Sequence, residues 1–378
     1  MYFRTYLLTL IIPLIIPAAL VIWIDPYHVW HDNGPAAGRY SENQRYETPG
    51  HIRRYVECED CGGATVLIGT SVSENTTLDD LRDATGNERA VRLIIEGSYP
   101  IEHRHVLQRA LSSGNVDEVW WEIYRNYSLP EYAEFPGDGS FPTALYNNTL
   151  LDDHTYLLNH GVVMHGIRIL TGSAELSDDV GTLNRWHEDA IDIARYQWWS
   201  EAETVRLISE RVDPRLQEWA GTTPDPDHPA PAYDEFIVPF VEQWPDVRFR
   251  FYIPPVSLIR HGVGVGDLLA GELALRGRLA ELAAQRDNVT LYAFDQYEPL
   301  VSDMAYYKDS GHYTASVNRW MLERMVAEDP RFIVTPDNVE AQRQWLWRNA
   351  VEHVPYSSCT DAPERCGVFD PQQHSPDD

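Results

Sequence analysis

Short apolar runs alternate along the chain with longer stretches of helical spacing. Residues 64–68 (ATVLI) are a short, largely apolar run that stops at Gly69, as a buried strand does. Residues 90–95 (AVRLII), 116–123 (VDEVWWEI) and 288–294 (NVTLYAF) are further strand candidates, and 247–253 (VRFRFYI) alternates polar and apolar residues before it stops at Pro254-Pro255. Between them, residues 100–111 carry helical spacing, 266–286 are rich in strong helix formers, and 315–328 form a further helical stretch. Strands separated by helices predict an α/β fold with a parallel sheet covered on both faces. Residues 141–211 read as mostly helical and break the rhythm, and residues 213–231, rich in Pro, Asp and Thr, read as a loop. Together they suggest an insertion over about 141–230, packed over one end of the sheet. The tail 357–378 is polar and expected to be irregular apart from its cysteines.

The N-terminus has a different pattern. From Tyr6 to Ile24 there are 19 residues without a charge, YLLTLIIPLIIPAALVIWI. A helix needs about 20 such residues to cross the hydrocarbon layer, and Pro13 and Pro17 are tolerated in a membrane helix. Arg4 precedes the stretch, and Asp25 and Asp32 follow it, so the positive-inside rule puts the N-terminus in the cytoplasm. The expectation is an anchor within residues 1–30, with residues 31–378 outside the inner membrane. Trp23, Tyr27 and Trp30 suit the outer interface. The rival is a cleaved signal peptide with its cut near Pro17-Ala18-Ala19.

Charge and cysteines narrow the classes. A net charge of −28 repels phosphate backbones and argues against a nucleic-acid partner. Lys308 is the one lysine, and an acidic, lysine-poor chain suits a surface kept hydrated at high salt. Four cysteines, Cys58, Cys61, Cys359 and Cys366, are an even count outside the cytoplasm and favour disulfides, with the connectivity open. Cys58-x-x-Cys61 fits zinc spacing, but the six residues between Cys359 and Cys366 do not. Neither a metal nor a cofactor is expected.

Chemistry is expected at the carboxyl ends of the strands, where parallel α/β sheets place their ligands. The first strand runs into Gly69-Thr70-Ser71, which would put Ser71 at the start of the next helix, near its partly positive end. Taken alone, such a Ser is an ordinary helix cap. After the last strand, however, comes Asp309-Ser310-Gly311-His312. A serine hydroxyl is a poor nucleophile until a base takes its proton, and the base needs a carboxylate to fix its tautomer. Ser71, His312 and Asp309 supply those three roles. Ser73 is the nearest rival nucleophile.

These motifs resemble the SGNH (GDSL-type) hydrolases. Gly69-Thr70-Ser71 is similar to the family's Gly-Asp-Ser turn, and Asp309-x-x-His312 to its Asp-x-x-His. Gly97, in IIEGSYP, sits where the family has its oxyanion-hole glycine. The family's Gly-x-Asn-Asp is matched only by Asn126, in Tyr124-Arg125-Asn126-Tyr127, without the flanking Gly and Asp. The resemblance implies a three-layer, flavodoxin-like fold over about residues 60–330, with the insertion set aside. It also implies an oxyanion hole from the amides of Ser71 and Gly97, with Asn126 as a third donor. A span, an Asp25-Pro26-Tyr27 beyond it and an external SGNH-like domain are similar to the envelope proteins of lipoteichoic-acid D-alanylation and alginate O-acetylation. That narrower likeness implies a multi-spanning acyltransferase of the MBOAT class as partner.

Other motifs carry less. His103-x-His105 falls on a helix, where i and i+2 do not share a face, and both read as surface histidines. His187-Glu188-Asp189 and Asp152-Asp153-His154 read as solvated, and Gly262–Gly266 as a flexible loop. Trp120 reads as core, whereas Trp198 and Trp199 would serve either as core or as a stacking surface for sugars. Three function classes follow: an esterase or O-acyltransferase for acyl esters of an envelope polysaccharide or lipid-linked glycan, a non-catalytic SGNH-like scaffold or glycan-binding module, and a secreted esterase or lipase.

Overall fold

The computed structural model describes residues 2–41, 43–128, 134–135, 139–147, 149, 151–176, 219, 221–263, 266–307 and 309–352. All five expected strands form, namely β1 (Ala64–Gly69), β2 (Ala90–Ile94), β3 (Val116–Glu122), β4 (Arg248–Ile253) and β5 (Val289–Ala293). They make one parallel sheet in the order β2-β1-β3-β4-β5. The order in which strands are added reverses beside β1, so the loops after β1 and β3 flank a crevice at the carboxyl ends of the strands.

The helices are α1 (Tyr2–Ile24), α2 (Gln44–Tyr55), α3 (Leu78–Thr85), α4 (Pro100–Ser112), α5 (His154–Leu157) and α6 (His160–Leu170). They continue with α7 (Val238–Gln243), α8 (Leu258–Val263), α9 (Asp267–Gln285), α10 (Glu298–Val301), α11 (Ala315–Val326) and α12 (Val339–Glu352). Neighbouring strand residues point to opposite faces, and the core divides accordingly. Val66, Ile68, Val119, Trp121, Phe249 and Phe251 pack with Val106 and Leu107 of α4 and Leu275 and Leu279 of α9. On the other face, Leu67, Trp120, Tyr252 and Tyr292 pack with Leu81 of α3 and Val317, Trp320 and Met321 of α11. Apolar side chains on both faces of β1 explain why it reads as a continuous run, whereas β4 alternates, with Phe249 and Phe251 in the core and Arg248 exposed.

Differences from the sequence reading are local. Helices α2 and α12 were not expected. Within the insertion the described helices are α5, α6 and a 3-10 turn at Thr143–Tyr146. His187-Glu188-Asp189, Trp198, Trp199, Cys359 and Cys366 lie outside the described residues. Cys58 and Cys61 pair with each other in a disulfide. Gly262 lies inside α8, so the expected loop is helical at its start. Side chains of α1 are described from Ile12 onward, and among the described residues no helix is long and apolar enough to cross a membrane.

The chain leaves α1 through a rigid turn. Asp25 is fully buried, and its carboxylate accepts the backbone N–H groups of Val29 (2.8 Å), Trp30 (2.7 Å) and His31 (2.7 Å). Tyr27 is buried and its ring stacks on His165 of α6, with centroids 4.8 Å apart. The Asp25-Pro26-Tyr27 sequence is therefore a structural corner. Asp25→Ala would leave three N–H groups without their acceptor. It should lower stability by about 2–4 kcal/mol in denaturant unfolding, where a lost hydrogen bond to a charged group is typically worth 1.5–3.

Candidate active site

Ser71, Asp309 and His312 come together at the carboxyl ends of the strands. Ser71 follows β1 directly. The imidazole Nε2 of His312 lies 2.9 Å from the Ser71 hydroxyl oxygen, and its Nδ1 lies 2.7 Å from Asp309 Oδ2. The second carboxylate oxygen of Asp309 accepts the backbone N–H of Gly311 (2.8 Å) and of His312 (2.9 Å). One short loop thus supplies the carboxylate, the imidazole and the contacts that orient both. Burial alone would raise the Asp309 carboxyl. Its hydrogen bond to His312, the nearby imidazole charge and the two backbone N–H groups outweigh that and hold it at about 2. Asp309 is therefore ionised throughout the neutral range. With Oδ2 as a pure acceptor, Nδ1 of the neutral imidazole carries the proton and Nε2 is left to accept from Ser71.

The loop is fastened to its neighbours. Tyr307 and Tyr313 form an antiparallel bridge across its base. Ser257, after β4, donates its backbone N–H (3.2 Å) and its hydroxyl (2.6 Å) to the carbonyl of Ser310. Tyr307 donates its hydroxyl to the carbonyl of Pro255 (2.6 Å). The Pro254-Pro255 that ends β4 thus also frees a carbonyl to hold the loop.

Ser71 opens a single 3-10 turn, Ser71–Ser73, and α3 begins only at Leu78 behind a Thr77 cap. The expectation of a long helix starting at Ser71, with its positive end at the hydroxyl, is corrected. The turn is fixed from below by Glu122, the last residue of β3, which is fully buried. Its carboxylate accepts the Thr70 backbone N–H (3.2 Å), the Thr70 hydroxyl (2.6 Å) and the Ser73 hydroxyl. Ser73 in turn lies 2.6 Å from the Tyr252 hydroxyl. Ser73, the rival nucleophile, is therefore buried in this network. Gly69 is required by close approach, because a Cβ there would sit 2.7 Å from Glu122 Oε2. Complete burial pushes the Glu122 carboxyl up to about 7, although the hydrogen bonds from Ser73 and Thr70 favour its charged form. The sequence reading missed Glu122; the available signal was a carboxylate closing the apolar run VWWEI.

A second buried network ties the neighbouring loops together. Gly97 lies in the turn after β2 with φ +58, a conformation that suits glycine. Asn126, after β3, donates its Nδ2 to the Ser98 carbonyl (2.6 Å), so the two loops singled out for an oxyanion hole meet one residue beyond Gly97. His103 corrects the sequence reading. It is fully buried, with Nε2 2.7 Å from the Ser98 hydroxyl and Nδ1 2.7 Å from the Tyr127 hydroxyl. Tyr127 also accepts the indole N–H of Trp121 (2.7 Å), and the Ser98 hydroxyl reaches the Gly69 carbonyl (3.5 Å).

One assignment of protons uses every hydrogen. Trp121 donates to Tyr127, Tyr127 to His103 Nδ1, His103 Nε2–H to Ser98, and Ser98 to Gly69. Burial, opposed by the Gly69 carbonyl and assisted by Arg45, depresses the His103 imidazole to about 3, so it stays neutral. Trp120 and Trp121 are both buried, as core residues. Among the described residues no group of His, Cys, Asp and Glu is placed to hold a metal ion. No protein-family model matches the chain, and no curated protein matches it.

The two buried networks predict opposite pH signatures. Because the folded-state pKa of Glu122 lies above its ordinary value, its protonated form is the one that folding favours. Relative to Glu122→Gln, wild-type stability should be greatest below pH 4.5 and decline as pH rises through about 7, by an amount on the order of 2–3 kcal/mol. A difference that is flat from pH 4 to 8 in urea titrations would contradict the assignment.

His103 behaves the other way, because its folded-state pKa lies below its ordinary value. Its contribution relative to His103→Phe should be complete above pH 6.5 and shrink as pH falls toward 3. At pH 8 the substitution strands the Ser98 and Tyr127 hydroxyls and should cost about 2–4 kcal/mol, each buried unpaired group being worth 1–3.

Proposed function

We propose that the chain is a serine esterase or O-acyltransferase of the SGNH type, its five-stranded sheet being the core of a flavodoxin-like domain. The observation that carries the reading is the continuous path from Ser71 through His312 to Asp309, with separations of 2.9 Å and 2.7 Å. In this reading the Ser71 oxygen attacks the carbonyl carbon of an acyl ester while His312 Nε2 takes the hydroxyl proton. Asp309 stays ionised and stabilises the imidazolium that forms. The tetrahedral intermediate collapses, the C–O bond to the leaving alcohol breaks, and His312 returns the proton to that alcohol. The acyl group is left on Ser71. Water or a sugar hydroxyl then repeats the sequence in reverse, giving hydrolysis or transfer. The amides of Ser71 and Gly97 and the side chain of Asn126 are the proposed donors to the oxyanion.

The proposed substrate is an acyl ester of an envelope polysaccharide or lipid-linked glycan. This follows from the place assigned to the N-terminus. The reading rests on the sequence: residues 6–24 carry no charge and are about the length a membrane helix needs, although among the described residues no helix is long and apolar enough to cross a membrane. Ile12, Leu14, Ile15 and Ile16 are exposed along α1. We read α1 as a span with the domain on the outer side of the inner membrane. A multi-spanning acyltransferase delivering acyl groups there is the proposed partner, since anchoring raises the local concentration of the two.

Ser71→Ala should abolish labelling by a fluorophosphonate probe while leaving the melting temperature within a few degrees of wild type. Loss of a triad member removes several orders of magnitude in rate. A label that persists, or maps to another serine by mass spectrometry, would overturn the assignment of the nucleophile.

The anchor has its own measurement. Membranes washed with carbonate should retain the protein with its N-terminal peptides intact. Recovery of a soluble form beginning after Ala19 would favour a secreted esterase.

A further inference from the structure

Exposed apolar side chains are distributed very unevenly over this acidic protein. Among the described residues, the exposed large hydrophobics are Ile12, Leu14, Ile15, Ile16, Ile22 and Trp23 on α1, then Leu151, Leu158, Met164, Ile167 and Leu170, and finally Val326. All but Val326 lie on α1 or on the segment 151–170. That segment packs on the end of α1. A Cβ at Gly166 of α6 would sit 3.1 Å from the Ile24 side chain, and Ile169 of α6 shares a small buried cluster with Ile24 and Ala36. Apart from Val326, the exposed apolar side chains thus lie on α1 and on the segment that packs against it.

Helix α6 has the pattern of an interfacial helix. Val162, Gly166 and Ile169 are buried, and Met164, Ile167 and Leu170 are exposed on its outer flank, with Arg168 beside them. A water-facing helix would carry polar residues there, and a large exposed apolar patch marks a surface that something covers. The corner at Asp25, the stack of Tyr27 on His165 and the edge-on contact of Trp30 with Tyr156 (5.4 Å) fix this flank relative to α1. A flexible tether would leave the domain free to turn; this junction does not.

We propose that α6, with Leu158 and the outer end of α1, is a membrane-docking surface. It inserts Met164, Ile167 and Leu170 into the interfacial zone of the outer leaflet beside Ile22 and Trp23. Arg168 is placed for phospholipid phosphates. The occupant is lipid, because the flank continues the apolar surface of the helix read as the span. The proposal rests on that reading. Burying several large apolar side chains together with a cation at the headgroup level is how monotopic helices bind. Docking would hold the proposed active site in one orientation to the bilayer.

The test uses the full-length chain in phosphatidylcholine–phosphatidylglycerol liposomes, with a diazirine amino acid placed singly at Met164, Ile167, Leu170 or Val326. Upon irradiation, mass spectrometry should find lipid adducts at the first three positions at least severalfold above those at Val326. Water-quenched products or cross-links to protein at those three positions would overturn the proposal, the latter identifying a second copy or another segment as the occupant. Carbonate extraction of the same samples separates the two readings. Retention without lipid adducts rejects docking and leaves the span, whereas release without adducts rejects both.

Discussion

A fully buried carboxyl group, Glu122, whose described hydrogen-bond donors all lie in one turn, constrains the candidate site. The partners of Glu122 are the Thr70 N–H and hydroxyl and the Ser73 hydroxyl, all from the turn that carries Ser71. An acceptor at the end of a buried strand must find donors within a few ångströms, and the turn after β1 is the segment within reach. That demand explains three features at once. Gly69 has no side chain because Glu122 occupies the space. Thr70 spends its hydroxyl on Glu122 and does not cap a helix. Ser73 is turned inward and Ser71 is left to meet His312. The position of the proposed nucleophile follows from the strand two places along the sequence.

The sheet was legible because most of its strands are short, largely apolar blocks bounded by turn residues, and because β4 alternates polar and apolar positions before Pro254-Pro255. Ser71 was legible because it follows β1 directly, whereas Asp309 and His312, which lie beyond β5, α10 and a 3-10 turn, were legible from their Asp-x-x-His spacing. Glu122 and His103 were not, since each takes its meaning from partners distant in sequence. The nearest marker was a carboxylate inside VWWEI. His103 was misread because its spacing to His105 was judged alone; its actual partners are Ser98, in the preceding loop, and Tyr127, beyond β3. Helix α2 escaped notice because it is polar on average and contains Pro49, although Ile52 and Val56 at its end pack into the core.

The N-terminal segment illustrates a different limit. The length and apolarity of residues 6–24 are plain in the sequence, and so is the charge change at Asp25. What the sequence does not disclose is how stiff the junction is. That stiffness comes from Asp25 closing a ring of three backbone N–H groups, and from aromatic contacts made by residues more than a hundred positions later. The insertion, read only as a break in the strand–helix rhythm, contributes the surface against which α1 ends.

Two carboxylates near Ser71 are driven in opposite directions, and the difference follows from their partners. Asp309 faces an imidazole and two backbone N–H groups and is held at about 2. Glu122 faces neutral hydroxyls and a single backbone N–H in a fully buried place, and is pushed up to about 7. Environments that separate the pKa values of neighbouring carboxyls assign them different tasks. A fixed negative charge on the outer side of His312 stabilises a proton on the imidazole. A second negative charge beneath the Ser71 turn would also favour that proton, but it would repel the oxyanion proposed to form above. A carboxyl pushed up to about 7 is only partly ionised at neutral pH, so Glu122 braces the turn with less negative charge than Asp309 carries. The unequal titration of the pair is therefore part of the same constraint that places the nucleophile.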